Sequence, residues 1–218
     1  MSAKRAILFV NGDLRKPETI LSLIEPDDLL IAVDGGLRHL EALNLQPRLV
    51  IGDLDSITPQ QLQDLRSDGV EIIRFPEKKD ETDLELALDV VLKKGLKVIW
   101  VVGALGGRLD QTLGNIFLMG QPALQGFDIR LEDGVEQVFL VRSDLLVNGS
   151  PGDVVSLIPI AEEVSGVSTT GLEYPLKDAT LFMHKTRGIS NLMLEDTARI
   201  QVKDGALLCI HTRKENAD

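Results

Sequence analysis

The sequence predicts two domains of different class: an α/β domain on a parallel sheet over residues 1–128, then an antiparallel β-sandwich over residues 129–218. Three observations predict this. Short runs rich in Val, Ile and Leu alternate with amphipathic segments through the first part. Those runs lack strict polar–apolar alternation, as strands covered on both faces do. After about Asp128, turn signals recur every few residues and no helical period remains.

The strand-like runs of the first part lie at 6–10, 29–33, 49–51, 70–75 and 97–102. The clearest helix between them is "DETDLELALDVVLKKG", residues 80–95. Leu84, Leu88 and Val91 share one face of it, two lysines close its last turn, and Gly95 sits where a C-cap belongs. Repeated strand–helix units predict a parallel sheet with helices on both faces. In the second part, "IRLEDGVEQVFLV" reads as two strands joined at Asp133-Gly134. Asn148-Gly149, Pro151-Gly152, Ser165-Gly166, Thr170-Gly171 and Asp204-Gly205 mark further turns between short β-prone segments.

Composition narrows the function. The chain has 218 residues, 44% hydrophobic and 26% charged, with a net charge of −11. That charge argues against a nucleic-acid partner, since such affinity comes mostly from Lys and Arg on phosphates. No apolar stretch reaches membrane-span length, and the opening "MSAKRAILFVNGD" is too short in apolar residues for a signal core. The single cysteine, Cys209, excludes an internal disulfide, and His39, His184 and His211 lack zinc-site spacing. A cytoplasmic protein is expected.

Acidic residues come after each strand-like run: "NGD" (Asn11 to Asp13), "DGG" (Asp34 to Gly36), "GDLDS" with Asp53 and Asp55, "PEKKDETD" with Asp80 and Asp83, and "GALGGRLDQ" with Arg108 and Asp110. In an open parallel sheet these turns converge on one edge, where ligands bind. Any one aspartate has a structural alternative. Asp80 and Asp83 have the spacing of a capping box, and Asp34-Gly35 that of a turn. Several carboxylates at adjacent strand ends would repel one another, and a cation relieves that. With only hard oxygen donors present, magnesium suits the set better than zinc. Gly103, Gly106 and Gly107 permit close approach of phosphate oxygens, the helix starting near Asp110 aims amides at them, and Arg108 offers a fork. No P-loop and no G-x-G-x-x-G spacing is present here. This edge offers little to form a wall for a flat ring.

Taken in order, "NGD", "AVDGG", "VIGDLDS", "FPEKKDETDLELAL" and "GALGGRLDQTLGN", then "GDVVSLIPI", "VSTTGLEYPL", "GISN" and "DGALLCIHTR", resemble the thiamin pyrophosphokinase (thiamin diphosphokinase) family over nearly the whole chain. The resemblance implies transfer of the terminal diphosphate of ATP to the hydroxyethyl group of thiamin, giving thiamin diphosphate and AMP. It implies an α/β domain that binds ATP and magnesium, a sandwich domain for thiamin and dimerisation, and a homodimer in which the two subunits share the thiamin site. Asp53, Asp55, Asp83 and Asp110 would be catalytic, and Asp34, Asp53, Asp55, Asp80 and Asp83 would hold magnesium. Asn11, Asp34, Gly35, Gly36, Thr82, Gly103, Gly106, Arg108 and Asn115 would lie on the ATP side. Lys79, Asp83, Ser190 and Asn191 would contact substrate. Two departures stand out: Gln111 comes after Asp110 where many bacterial members have His, and Cys209 stands where animal members stack a tryptophan on thiamin. Trp100, inside a strand, is expected in the core.

Two other readings fit the residues. One is a magnesium-dependent phosphohydrolase with Asp53 as nucleophile. The other is a non-catalytic nucleotide or thiamin sensor.

Overall fold

The computed structural model describes residues 3–214, in two compact units divided after Gly134. The first unit holds β1 (Arg5–Phe9), α1 (Pro17–Leu23), β2 (Leu29–Val33), α2 (Leu37–Ala42), β3 (Leu49–Gly52), α3 (Pro59–Ser67), β4 (Glu71–Arg74), α4 (Asp83–Lys94), β5 (Val98–Val102), α5 (Leu109–Leu118) and β6 (Asp128–Glu132). All six strands pair in parallel, in the order β6-β5-β1-β2-β3-β4. The chain steps outward from β1 to β4, and α4 carries it back to the far side of β1. The order therefore reverses between β1 and β5, which makes that crevice the topological switch point.

The inner strands are buried almost throughout, as their unbroken apolar runs require, while edge strand β4 is only half covered. Helix α4 buries Leu84, Ala87, Leu88 and Val91, and Gly95 closes it at φ 77°. Its N-cap is Thr82, whose hydroxyl accepts the Glu85 amide at 3.2 Å. The capping box expected of Asp80 and Asp83 therefore does not form, because Asp83 is already the first helical residue. Trp100 is core, 7% exposed. The guanidinium groups of Arg5 and Arg130, from the strands flanking β5, lie over its ring at 4.4 and 4.5 Å. Asp28 holds Arg5 in place through two hydrogen bonds of 2.7 and 2.6 Å.

The sequence pattern puts β6 at the start of the antiparallel half. The strand pairs in parallel with β5 instead, Val98 opposite Asp128 through Val102 opposite Glu132, and so belongs to the first unit. The unit boundary thus falls after Gly134 rather than after Asp128.

The second unit has no α-helix among its described residues. Strands β7 (Glu136–Val141), β9 (Val154–Pro159), β12 (Asn191–Leu192) and β14 (Leu207–Thr212) pair antiparallel in the order β12-β9-β14-β7. Strands β8 (Asp144–Asn148), β10 (Glu163–Thr170), β11 (Ala179–Phe182) and β13 (Thr197–Gln201) pair in the order β11-β10-β13-β8. Burial alternates along β9 and β13, the period-two pattern of sheets covered on one face. Phe139, Val155, Leu157, Val164, Val167, Ile200 and Cys209 form the core of this unit.

A polar triad lies beside that core. His211, 1% exposed, donates from Nε2 to Asp153 Oδ2 at 2.8 Å, and its Nδ1 is 3.1 Å from Gln137 Oε1. Asp153 also accepts the amides of Ser150 and Lys214 at 2.9 and 2.8 Å. Burial pushes the Asp153 carboxyl up, but the Lys214 amide, His211 and the Ser150 amide outweigh it and hold the group below its ordinary range. A depressed folded-state value means this stabilisation is complete above the unfolded value, about 3.9, and is lost as pH falls through the folded value. Asp153→Asn should therefore destabilise the protein at pH 7. In denaturant melts across pH, its gap to wild type should stay constant down to about pH 4 and then close. A gap that widens in acid would contradict this.

Candidate active site at the strand ends

The site is built from the turns that leave the carboxyl ends of β2 and β3. Their register sets Val33 opposite Ile51, so Asp34 and Asp53 leave the sheet side by side. Asp34 turns at φ 48° into the short 3-10 turn Asp34–Gly36, a left-handed conformation that Asp tolerates better than most residues. Gly36 is required there, since a Cβ would come within 1.8 Å of the Phe9 carbonyl oxygen. Leu54, at φ 68°, folds the next turn so that the Asp55 amide donates to Asp53 Oδ1 at 3.0 Å.

Asp34, Asp53 and Asp55 each bring a carboxylate oxygen within 4.8 Å of the others. Asp34 and Asp53 are half-buried and Asp55 is exposed. The Ser56 hydroxyl donates to Asp34 at 3.4 Å. Charge on Asp53 pushes the Asp55 carboxyl up, with desolvation and then Asp34 adding to it. The donors are three carboxylate oxygens, a set that could hold a hard divalent cation.

A cavity of about 430 Å³ adjoins this cluster, lined by Asp53, Asp55, Arg74, Phe75, Pro76 and Glu77. Phe75 and Pro76 give this edge the apolar wall that the acidic motifs alone do not suggest. Arg74 is likewise absent from the sequence-predicted site. Its signal is its place at the end of a strand-like run, one residue before "FPEKKD".

The other expected ligands lie outside the triad. Lys79, in the loop four residues before α4, donates to Asp83 Oδ1 at 2.7 Å, so one oxygen of the Asp83 carboxylate is already engaged. Asp80 takes no part in the cluster, and neither does Asp110. Arg108 grips Asp110 through Nε and Nη2, at 3.1 and 2.5 Å, and holds that carboxyl below its ordinary range. The fork expected for phosphate is thus occupied within its own loop.

At the switch point, the loops after β1 and β5 are joined. Gly12 donates to the Gly103 carbonyl at 2.7 Å and Asp13 to Leu105 at 3.0 Å, while Asp13 Oδ2 accepts the Gly107 amide at 3.1 Å. A Cβ on Gly106 would meet Asp13 Oδ2 at 2.3 Å, so this glycine makes room for a side chain of the chain itself. Thr112 and Asn115 tie α5 back to the loop through the carbonyls of Gly106 and Ala104, at 2.9 and 3.0 Å. Arg38 donates to the carbonyls of Asn11 and Gly12, and His39 Nε2 lies 3.0 Å from the Gly12 oxygen. Desolvation holds His39 below the ordinary imidazole value. The Asn11 side chain lies directly against Gly35.

In the second unit, Ser190 is exposed at φ 60°, and its amide donates to Ser156 Oγ at 3.0 Å. Asn191, expected to contact substrate, is 9% exposed. Its Oδ1 accepts the Tyr174 amide at 3.0 Å and its Nδ2 donates to the Tyr174 carbonyl at 2.8 Å. That amide is spent on the backbone. Cys209 is fully buried, and burial pushes its thiol up to about 12, so it lines no surface where a ring could stack.

Two family models match the chain. "Thiamin pyrophosphokinase, catalytic domain" covers residues 20–131, and "Thiamin pyrophosphokinase, vitamin B1 binding domain" covers residues 143–207. The thiamine pyrophosphokinase of Bacillus subtilis (strain 168) is 31% identical over 186 residues, 84% of this chain and 87% of the relative. Thiamin pyrophosphokinase 1 of Caenorhabditis elegans is 24% identical over 208 residues, 85% and 79% of the two chains. The crystal structure of thiamine pyrophosphokinase from Bacillus subtilis superposes with a TM-score of 0.86 at 27% identity, covering 97% of this chain and all of that one (100%). Thiamin pyrophosphokinase from Candida albicans, at 16% identity and a TM-score of 0.77 over 96% and 89% of the two chains, shares the fold. With its acidic strand ends and both halves matched, this chain belongs to the thiamin pyrophosphokinase family.

Proposed function

We propose that the chain is a thiamin diphosphokinase whose chemistry takes place at the Asp34–Asp53–Asp55 cluster. The thiamin hydroxyl oxygen attacks the β-phosphorus of ATP, the bond from that phosphorus to the oxygen of the α-phosphate breaks, and AMP leaves with the electron pair. The hydroxyl proton is given up, and thiamin diphosphate is formed. The observation that carries this reading is the convergence of three carboxylates beside a cavity, in a chain matched by family models in both halves. A phosphohydrolase using Asp53 is not favoured because it leaves the vitamin B1 binding match over residues 143–207 unexplained, and a non-catalytic nucleotide or thiamin sensor is not favoured because it leaves the catalytic-domain match over residues 20–131 unexplained.

Asp34, Asp53 and Asp55 would hold magnesium, which when bound neutralises phosphate oxygens and the charge that develops during transfer. The chain's own residues supply position. Thr82 caps α4 and so sets Asp83 as its first residue, where the carboxylate meets Lys79 of the preceding loop. Asp83 would accept the hydroxyl proton through Oδ2, the oxygen outside its pair with Lys79, and opening of that pair would free Lys79 for an anionic oxygen. We assign thiamin recognition to the second unit, with Ser190 as its exposed polar candidate.

A homodimer is part of the proposal. It is supported by Leu109, Leu113 and Phe117, which are 71%, 43% and 62% exposed at successive i, i+4 positions of α5, a helix that buries no residue of its own. A cytoplasmic location is supported by the lone buried cysteine. Among the described residues, no helix is long and apolar enough to cross a membrane.

Incubation with ATP, magnesium and thiamin should yield AMP only when thiamin is present; phosphate release without thiamin would favour hydrolysis. Asp53→Asn and Asp55→Asn should each lower turnover by at least about 100-fold with unchanged melting temperature, and a chelator should do the same to wild type. Near-normal activity in either variant at saturating magnesium would remove that residue from the site. Leu113→Glu with Phe117→Glu should shift the sedimenting species from dimer to monomer, and an unchanged dimer would place the interface elsewhere.

A further inference from the structure

Arg38, Arg74, Lys79 and Arg108 are four of the cationic side chains at this end of the first unit, where Lys78 is also exposed, and three of the four are already engaged. Arg38 donates to the carbonyls of Asn11 and Gly12, Lys79 is paired with Asp83, and Arg108 is held at two points by Asp110. The fourth is Arg74, the last residue of β4. It lines the cavity beside Asp53 and Asp55 and is the only cation in that lining. Its Nε donates to the main-chain carbonyl of Asp53 at 3.2 Å, which fixes the root of the guanidinium beside the carboxylate turn. Its two terminal nitrogens make no hydrogen bond to any described residue.

From this geometry we infer that Arg74 is the residue that grips the polyphosphate of ATP, the role for which the sequence pattern favours Arg108. The inference rests on the proposed diphosphotransfer at the aspartate cluster. A guanidinium anchored through Nε still presents its Nη edge, and planar paired donors match phosphate oxygens where a lysine offers only a point charge. A wall with two aspartates and a glutamate repels a bare polyphosphate. Arg74 supplies the one fixed positive charge there, next to where cation-loaded phosphate would enter. The residue binds substrate directly and also steadies the Asp53 turn, and the two roles predict different kinetics.

The test uses Arg74→Gln and Arg74→Lys in the full chain, with thermal melts alongside. If Arg74 grips phosphate, Gln raises KM for magnesium-ATP about tenfold or more, with kcat at saturating ATP and KM for thiamin within about twofold of wild type. Lys recovers part of the loss, because it keeps the charge without the fork. Calorimetry with magnesium pyrophosphate gives a readout free of turnover, and Gln should weaken that binding about tenfold as well. A fall in kcat with unchanged KM for ATP would mean that Arg74 acts only through the Asp53 turn, and would overturn the inference. So would wild-type kinetics and pyrophosphate binding in both variants. If wild type forms no AMP from ATP and thiamin, the functional reading fails, and pyrophosphate binding still decides the role of Arg74. If Gln fails to fold, the same measurements on Lys decide it, with wild-type behaviour overturning the inference.

Discussion

Like-charge repulsion at the ends of β2 and β3 is the constraint on which the site depends. Three carboxylate oxygens lie within 4.8 Å of one another, and their mutual repulsion shows in the Asp55 carboxyl, which the charge of Asp53 and then Asp34 pushes up alongside desolvation. The parallel register forces the closeness, since adjacent strands ending at Val33 and Gly52 deliver their next residues to one place. Local donors offset part of the strain: the Ser56 hydroxyl on Asp34 and the Asp55 amide on Asp53. Exposure of Asp55 to water offsets more. The remainder is what a cation at this cluster, as proposed, would relieve.

The surrounding loops keep this arrangement rigid by using up their own polar groups. Asp13 occupies the amide of Gly107, Asn115 caps the Ala104 carbonyl, and Arg38 bridges two carbonyls of the first loop. Buried or crowded backbone that is satisfied internally is costly to rearrange. The glycine-rich turn therefore serves first as packing between two loops brought together at the switch point. The same reasoning holds in the second unit. Asn191 secures Tyr174 by two backbone hydrogen bonds, and Asp153 with His211 secures residues 150 and 214. Buried polar side chains there shape loops, and Ser190 beside Asn191 stays exposed.

The sequence by itself determined the class and order of the two halves and the strand ends at which acidic residues gather. These are written in periods of two and 3.6 residues and in turn chemistry, which act over short distances along the chain. Runs at 29–33 and 49–51, the C-cap at Gly95 and the aspartates after each strand were all legible in that way. Only the tertiary structure decided which of those aspartates meet: Asp34, Asp53 and Asp55 do, while Asp80, Asp83 and Asp110 stay outside. It alone placed β6 in the parallel sheet, through pairing with a strand some 30 residues earlier in the chain. It alone showed that Arg108 and Asn191 are committed and that, among the described residues, the terminal nitrogens of Arg74 are free. The physical reason is that a side chain's availability depends on which partners lie within about 3 Å of it, and those partners are brought there by the fold, not by proximity in sequence.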